Sequence, residues 1–94
     1  MNRCDSVDEI VRALSRYLRL NPLASDTLKG ITQWWLSSHN FSPAALVCAL
    51  ERMEQAGVVE SMRAADGQVR YRRAGLNAAV DAQLDRFISG MGIS

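Results

Sequence analysis

A capped helix followed by a tight hairpin, over residues 42–73, most constrains what this chain can fold into. Ser42 and Pro43 suit a helix cap and first helical position, and Gly57 suits a left-handed helix end. Asp66-Gly67 then interrupts strand-like sequence, and this dipeptide is the strongest short hairpin signal. The predicted strands are Val58–Arg63 and Gln68–Arg73.

The hairpin turn also predicts which strand residues face each other. If Asp66-Gly67 forms a two-residue turn, Met62 lies opposite Tyr71 on an apolar face and Glu60 lies opposite Arg73. Like charges opposed on the other face cost up to about 1 kcal/mol, so we interpret that face as an anion-binding wing. The alternative is that long arginine side chains extend into water. The arginines predicted to share this face are Arg63, Arg70 and Arg72.

An amphipathic helix is predicted before this unit. Ser6 begins a capping-box pattern completed by Glu9. The helix is expected to end near Asn21, because Pro22 disfavours helical backbone in the residue before it.

A second helix is predicted over Leu23–Ser38, capped by Ser25 or Asp26. Gly30 lies inside it at a cost of roughly 1 kcal/mol relative to Ala. We expect close approach of the first or third helix at that glycine.

Two adjacent tryptophans in this helix cannot both point into one core. Trp35 shares the inward stripe, Trp34 is predicted at its edge, and Leu36 is expected further round still. Trp34 either covers a seam between elements or serves as an aromatic anchor for another chain.

Helical periodicity resumes after Gly75 and ends at Gly90 and Gly92. This helix either packs on the first helix or pairs with its copy in a homodimer; we favour the homodimer, because large apolar stripes seldom stay uncovered. The predicted partner-binding residues are Leu84, Phe87 and Ile88, together with Trp34. The full predicted stripe is Leu76, Val80, Leu84, Phe87, Ile88 and Met91.

These elements predict a mostly helical α+β fold, a three-helix core with a two-stranded hairpin and an extra C-terminal helix. The predicted organisation is a tail (1–5), one domain (6–74) and the last helix (75–94). The third helix is predicted to bury Leu46, Ala49, Leu50 and Met53.

The order of elements over residues 6–73 resembles the winged helix-turn-helix superfamily. The segments L-E-R-M-E-Q-A-G-V-V-E-S and A-D-G-Q-V-R-Y-R are similar to the recognition helix end and wing of bacterial regulators of the MarR and PadR kind. The resemblance implies a dimeric transcription regulator that binds double-stranded DNA. It assigns the major groove to Ser42, Ala44, Ala45 and Cys48, and further DNA contacts to Arg52, Arg63, Arg70 and Arg72.

The third helix offers few groups suited to DNA readout. Base edges are read by side chains with hydrogen-bond donors and acceptors, whereas this helix presents Pro43, Ala44 and Cys48. The net charge is only +1. We therefore keep a second hypothesis, a winged-helix protein-interaction module that uses Trp34, Ala44 and Cys48. RNA binding and ligand sensing stay open.

Other functional classes find no support in the sequence. Its single histidine, His39, has no clustered ligand or catalytic partner, and Cys4 and Cys48 lack metal-ligand spacing. We expect no enzyme activity, no metal and no cofactor. With no signal peptide and no apolar run of roughly 20 residues, we expect a cytoplasmic protein with reduced thiols.

Overall fold

The computed structural model describes residues 3–36 and 41–89, with the backbone alone for 3–6, and in these ranges the chain is a mostly helical α+β protein. These ranges contain four helices and one three-stranded antiparallel sheet in the order β1-β3-β2. The elements are α1 (Arg3–Leu20), β1 (Ser25–Asp26), α2 (Leu28–Gly30) running on into a π-helical segment (Ile31–Trp35), α3 (Pro43–Gln55), β2 (Val59–Arg63), β3 (Val69–Arg73) and α4 (Ala78–Ser89).

Helix α1 is the centre of the core and packs against both α3 and α4. As expected for an amphipathic helix, one side of it is largely buried, with Ile10 and Leu14 fully inaccessible. The helix ends at Leu20, as Pro22 predicted, but it begins at Arg3 rather than at Ser6. The prediction that Ser6 caps it is therefore wrong, because helical backbone extends a turn before that residue.

The predicted start of the second helix is also wrong. Ser25 and Asp26 form the short strand β1, which pairs with Arg72 and Tyr71 of β3. The helix begins only after Thr27, whose side chain accepts a hydrogen bond from the Gly30 N–H at 3.2 Å. The backbone hydrogen-bonding groups of these residues are satisfied by pairing with a strand that is distant in sequence. A local capping pattern cannot predict such a partner.

Gly30 makes room for a carboxylate and not for another helix. A Cβ atom at this position would lie 2.0 Å from Oδ1 of Asp26. That oxygen accepts the Thr27 N–H at 2.8 Å, which holds the carboxylate against the first turn of the helix. The expected approach of the first or third helix at Gly30 is therefore replaced by a contact within the turn.

The π-helical segment turns Leu36 into the core. The Leu36 N–H donates to the Ile31 carbonyl, five residues earlier, at 3.0 Å, and both side chains are buried. Because a π turn holds more residues than an α turn, Leu36 reaches the side of Ile31 and not the outward side predicted for it. Trp35 stacks on Tyr17 with ring centroids 4.8 Å apart. Trp34 is 67% exposed, in agreement with its predicted peripheral place.

Helix α3 follows its sequence signals closely. Ser42 Oγ accepts the Ala45 N–H at 3.1 Å, and Pro43 occupies the first helical position. The helix is followed by Gly57, whose φ of 81° is the left-handed value expected there. The predicted inward stripe, Leu46, Ala49, Leu50 and Met53, is buried.

The hairpin has a three-residue loop, so its predicted register is wrong by one residue. The Ala64 N–H donates to the Gln68 carbonyl at 2.8 Å, which closes the loop over Ala65, Asp66 and Gly67. A two-residue type I′ turn needs positive φ at both central residues, and here only Gly67 has it, at 86°. The observed pairs are Val59–Arg73, Glu60–Arg72, Ser61–Tyr71, Met62–Arg70 and Arg63–Val69.

Helix α4 packs back on α1, the first of the two arrangements considered for it. Asn77 Oδ1 caps it by accepting the Val80 N–H at 2.9 Å. Val80 and Leu84 are buried, whereas Leu76 precedes the helix and is 64% exposed. The predictions for His39, Gly90, Met91 and Gly92 and for the side chain of Cys4 lie outside the described residues.

Candidate binding surface

The outward side of α3 carries a stripe of small and apolar side chains. Ala44, Val47, Cys48 and Glu51 follow the i, i+3, i+4, i+7 spacing that places residues on one side of a helix, and all four are exposed. Only the last of them is charged. We call this stripe, with Pro43 at its start, the α3 face.

A groove borders the α3 face on the side of the second helix. It has a volume of about 440 Å³. Lys29 is the only charged residue in its lining, and Thr32 Oγ already donates to the Leu28 carbonyl at 2.9 Å. The groove is therefore mainly an apolar recess next to one free ammonium group. This α2–α3 groove is lined by Leu28, Lys29, Thr32, Gln33, Pro43 and Leu46.

Trp34 adds an exposed aromatic ring one residue beyond Gln33 of the groove. Its neighbour Trp35 is held against Tyr17 of α1, so the two indoles have different surroundings. Because Trp34 is 67% exposed as a residue, its indole offers a large apolar surface and an N–H donor.

The three arginines predicted to share one face of the hairpin are divided between its two faces. Arg63 lies on the same face as Tyr71, whereas Arg70 and Arg72 lie on the other with Met62. The one-residue difference in register causes this, because it moves every side chain of a strand relative to its partner. The predicted gathering of cations on one face of the wing is therefore wrong.

Several of the predicted DNA-binding cations have partners within the chain. Arg72 Nε donates to Glu60 Oε2 at 2.6 Å, and an η nitrogen of Arg63 donates to the Gly67 carbonyl at 3.1 Å. Arg52 forms an ion pair with Asp8 of α1. Among the predicted arginines, Arg70 has a guanidinium with no ion pair or hydrogen bond within the described part of the chain.

Negative charge collects where α3 meets the hairpin. Burial raises the pKa of Tyr71, and the carboxylates of Glu54 and Glu51 raise it further. Glu54 Oε2 accepts a hydrogen bond from Ser61 Oγ at 3.0 Å, which places its charge beside β2. A phosphate backbone approaching α3 from this side would meet repulsion.

The structure removes two predicted contact residues from the surface. Ala45 is 5% exposed and faces the core, although the resemblance assigned it to the major groove. Leu84 is fully buried within the chain, although it was predicted to contact a second copy. Phe87 packs against the core and Ile88 is half-buried, so the stripe of α4 is largely covered by its own chain.

An ionic cluster that the sequence analysis missed fixes α4 in this position. Arg73, predicted opposite Glu60, has a side chain only 3% exposed, and an η nitrogen lies 2.7 Å from Oδ1 of Asp81. Arg19 Nε donates to Asp85 Oδ1 at 2.8 Å. This hydrogen bond and the charge of Asp85 raise the pKa of Arg19. The i, i+4 spacing of Asp81 and Asp85 was the available signal, but their partners are distant in sequence.

Within residues 3–36 and 41–89, no three His, Cys, Asp or Glu side chains are arranged to hold a metal ion. In the same ranges, no helix has the length and apolar character needed to cross a membrane. Comparison with protein-family models, curated protein sequences and solved structures finds no match.

Proposed function

We propose that this protein is a winged-helix protein-interaction module that binds its partner through the α3 face and the α2–α3 groove. The observation that carries the proposal is an apolar groove that opens directly beside an uncovered helix face of small residues. The order of three helices and a hairpin, with β1 added at the edge of the sheet, supports the winged-helix assignment.

The chemistry of the α3 face suits a protein surface better than base edges. Ala44 and Val47 have no side-chain hydrogen-bonding group, and Cys48 has only a weak one, so the face can distinguish little beyond a thymine methyl. Protein interfaces, in contrast, have cores poor in charge and rich in apolar and aromatic groups. Trp34 provides the kind of exposed aromatic anchor that dominates binding energy at such interfaces.

The electrostatics of the same surface also favour a protein partner. DNA affinity comes largely from cations that neutralise phosphates. Here Arg52 and Arg72 are paired with carboxylates of the chain, and Glu51 and Glu54 add negative charge beside Tyr71. A DNA-binding mode would have to break these pairs or avoid α3.

A comparative pull-down tests the proposal. Val47→Glu places a charge in the α3 face at a position already 37% exposed, so the fold should tolerate it. Leu76→Glu is the matched control, because Leu76 is 64% exposed and belongs to neither the α3 face nor the α2–α3 groove. We expect the proteins retained by the wild type to be lost with Val47→Glu and with Trp34→Ala, and kept with Leu76→Glu. An unchanged set of partners with both Val47→Glu and Trp34→Ala would contradict the proposal.

DNA binding is the second candidate function. It is favoured by Arg70 and Lys29, which have no ion pair within the described part of the chain and can reach phosphates. A fluorescence titration with generic duplex DNA at low and moderate salt separates the two functions. We expect no saturable binding at moderate salt. Saturable binding that is lost when Arg63, Arg70 and Arg72 are replaced by Ala, with a flatter salt dependence, would instead establish DNA as the partner.

A further inference from the structure

We infer that the partner of the α3 face is the same face of a second copy of this chain, related by a two-fold axis. This inference rests on the proposed function and names the partner of that surface. It differs from dimerisation through α4, whose apolar stripe is covered by α1.

The α3 face and the groove beside it together carry opposite charges at their two ends. Lys29 lies in the groove beside Pro43 and Leu46, at the start of α3. Glu51 lies eight residues after Pro43, about 12 Å further along the helix at the usual rise per residue. Within the described part of the chain, neither the Lys29 ammonium nor the Glu51 carboxylate has an ion pair or a hydrogen bond. The surface between them is the uncharged part of the stripe.

Such a surface is complementary to itself. A two-fold axis perpendicular to α3 packs the helix antiparallel to its copy and brings Lys29 of each chain toward Glu51 of the other. Because contacts in a two-fold interface occur twice, both charges are paired in duplicate. The arrangement satisfies two exposed charges that the chain itself leaves unpaired.

The side chains in the middle of the stripe allow the two helices to approach closely. Ala44 and Cys48 are small, and Val47 supplies apolar area at the centre. The axis passes near Val47 and Cys48, about halfway between the charged ends, so each Cys48 lies close to its counterpart. Apolar side chains of one copy can then enter the groove of the other, where they are buried away from solvent.

The contact area is limited to one helix face and its groove. Interfaces at the small end of the range are associated with weak complexes, so we expect a dissociation constant on the order of micromolar. The protein should therefore be a monomer when dilute and a dimer at high concentration.

Sedimentation equilibrium of the wild type and charge-exchange variants tests this arrangement over about 1 to 300 µM, a range that brackets the expected dissociation constant. Lys29→Glu and Glu51→Lys each create two like-charge contacts in the dimer, and each should weaken dimerisation by roughly tenfold or more. An equimolar mixture of the two variants restores both opposite-charge contacts. We expect that mixture, and the double variant, to dimerise about as well as the wild type.

Three results would overturn the inference: a wild-type chain that stays monomeric over the whole range, dimers insensitive to both single exchanges, or single variants that the mixture does not rescue. The proposed function is tested separately from this inference. If the wild type is monomeric but retains another protein in a Val47-dependent manner, the α3 face binds protein and its partner is not a second copy. If the wild type is monomeric and no Val47-dependent partner is retained, both proposals fail.

Discussion

Helices α3 and α4 are both amphipathic, but they differ in whether their apolar residues are covered by the rest of the chain. The apolar stripe of α4 is covered by α1, and Leu84 is fully buried there. Helix α3 buries its inner stripe equally well but leaves a second set of small and apolar residues on the outside, with Val47 37% exposed. Similar periodicity in sequence therefore leads to an intramolecular contact in one helix and an uncovered surface in the other.

The distribution of charge accompanies this difference. Asp81 and Asp85 of α4 have cationic partners, Arg19 and Arg73, supplied by other elements of the same chain. Within the described residues, Glu51 of α3 has no cationic partner, and Lys29, in the groove at the other end of α3, has no anionic one. The matched charges of α4 therefore belong to a contact that the chain already makes, whereas the unmatched charges beside the apolar α3 face are the basis of the contact proposed with a second copy.

The largest effect is expected where α4 is covered. Leu84→Ala should lower the free energy of unfolding by about 2 to 5 kcal/mol, because it removes buried methyl groups and leaves a cavity. Urea denaturation followed by circular dichroism measures this loss. Leu76→Ala is the control and should change little, since Leu76 is 64% exposed. Equal, small effects of both variants would show that α4 is not docked on α1 in solution.

In the ionic cluster, removing the carboxylate that pairs with a buried arginine should cost more stability than removing one that pairs with an exposed arginine. Asp81→Ala leaves the Arg73 guanidinium without its carboxylate in a site where that side chain is 3% exposed. We expect a loss of about 1 to 3 kcal/mol, the cost of leaving a buried polar group underpaired, reduced because Asp81 itself is partly exposed. Asp85→Ala removes only a solvent-exposed pair and should leave the urea midpoint unchanged. A larger effect at Asp85 than at Asp81 would contradict this account of how α4 is held.

At the start of α2, stability should depend on the close contact between Gly30 and the Asp26 carboxylate. Gly30→Ala places a methyl group on the Asp26 carboxylate, 2.0 Å from Oδ1. The variant should be destabilised, whereas the same Gly30→Ala change made in an Asp26→Ala background should stabilise the chain by about 1 kcal/mol, because Ala is the better helix former once the carboxylate is gone. A double-mutant cycle by urea denaturation measures the coupling. If the stability effects of Asp26→Ala and Gly30→Ala are purely additive, the Asp26 carboxylate is not the reason that position 30 is a glycine.

The smallest expected effect concerns the negative charge between α3 and the hairpin. Glu54→Gln should lower the raised pKa of Tyr71, because the second cause of that shift is the Glu54 carboxylate. Tyrosinate absorbance in a Tyr17→Phe background follows Tyr71 alone. No change in the Tyr71 pKa would mean that Glu54 does not act on this side chain.

The same shift predicts how stability depends on pH. The folded chain holds the Tyr71 proton more tightly than the unfolded chain, whose tyrosine keeps its usual pKa of 10.0. The stabilisation is therefore complete below that pH and is lost as pH rises through the folded-state pKa. Tyr71→Phe should make stability less sensitive to pH in this alkaline range.

Much of the fold follows from local signals, and the differences follow from distant partners. The Ser42 cap, the Pro22 stop and the inward stripe of α3 are read correctly because they depend on neighbours in sequence. Ser25 and Asp26 form a strand because they pair with Arg72 and Tyr71 of β3, which lie some 45 residues later in the sequence. No local pattern of caps or periodicity reveals that partner.

The candidate site was predicted less completely than the fold. The exposed Trp34, Ala44 and Cys48 follow from helical periodicity alone. The α2–α3 groove does not, because it depends on a helix that starts at Leu28 and on the approach of its first turn to Pro43. The division of the wing arginines likewise depends on loop length, and one additional loop residue transfers a strand's side chains to the other face.

The reactivity of the Cys48 thiol, followed with a disulfide reagent in a Cys4→Ser variant, tests the central claim most directly. Cys48 is exposed on the α3 face. We predict rapid modification in dilute protein, slower modification as protein concentration rises, and no such slowing when Lys29→Glu is added. A rate that is the same at every concentration would contradict association through the α3 face. A slow rate even in dilute protein would show that the chain covers this face itself.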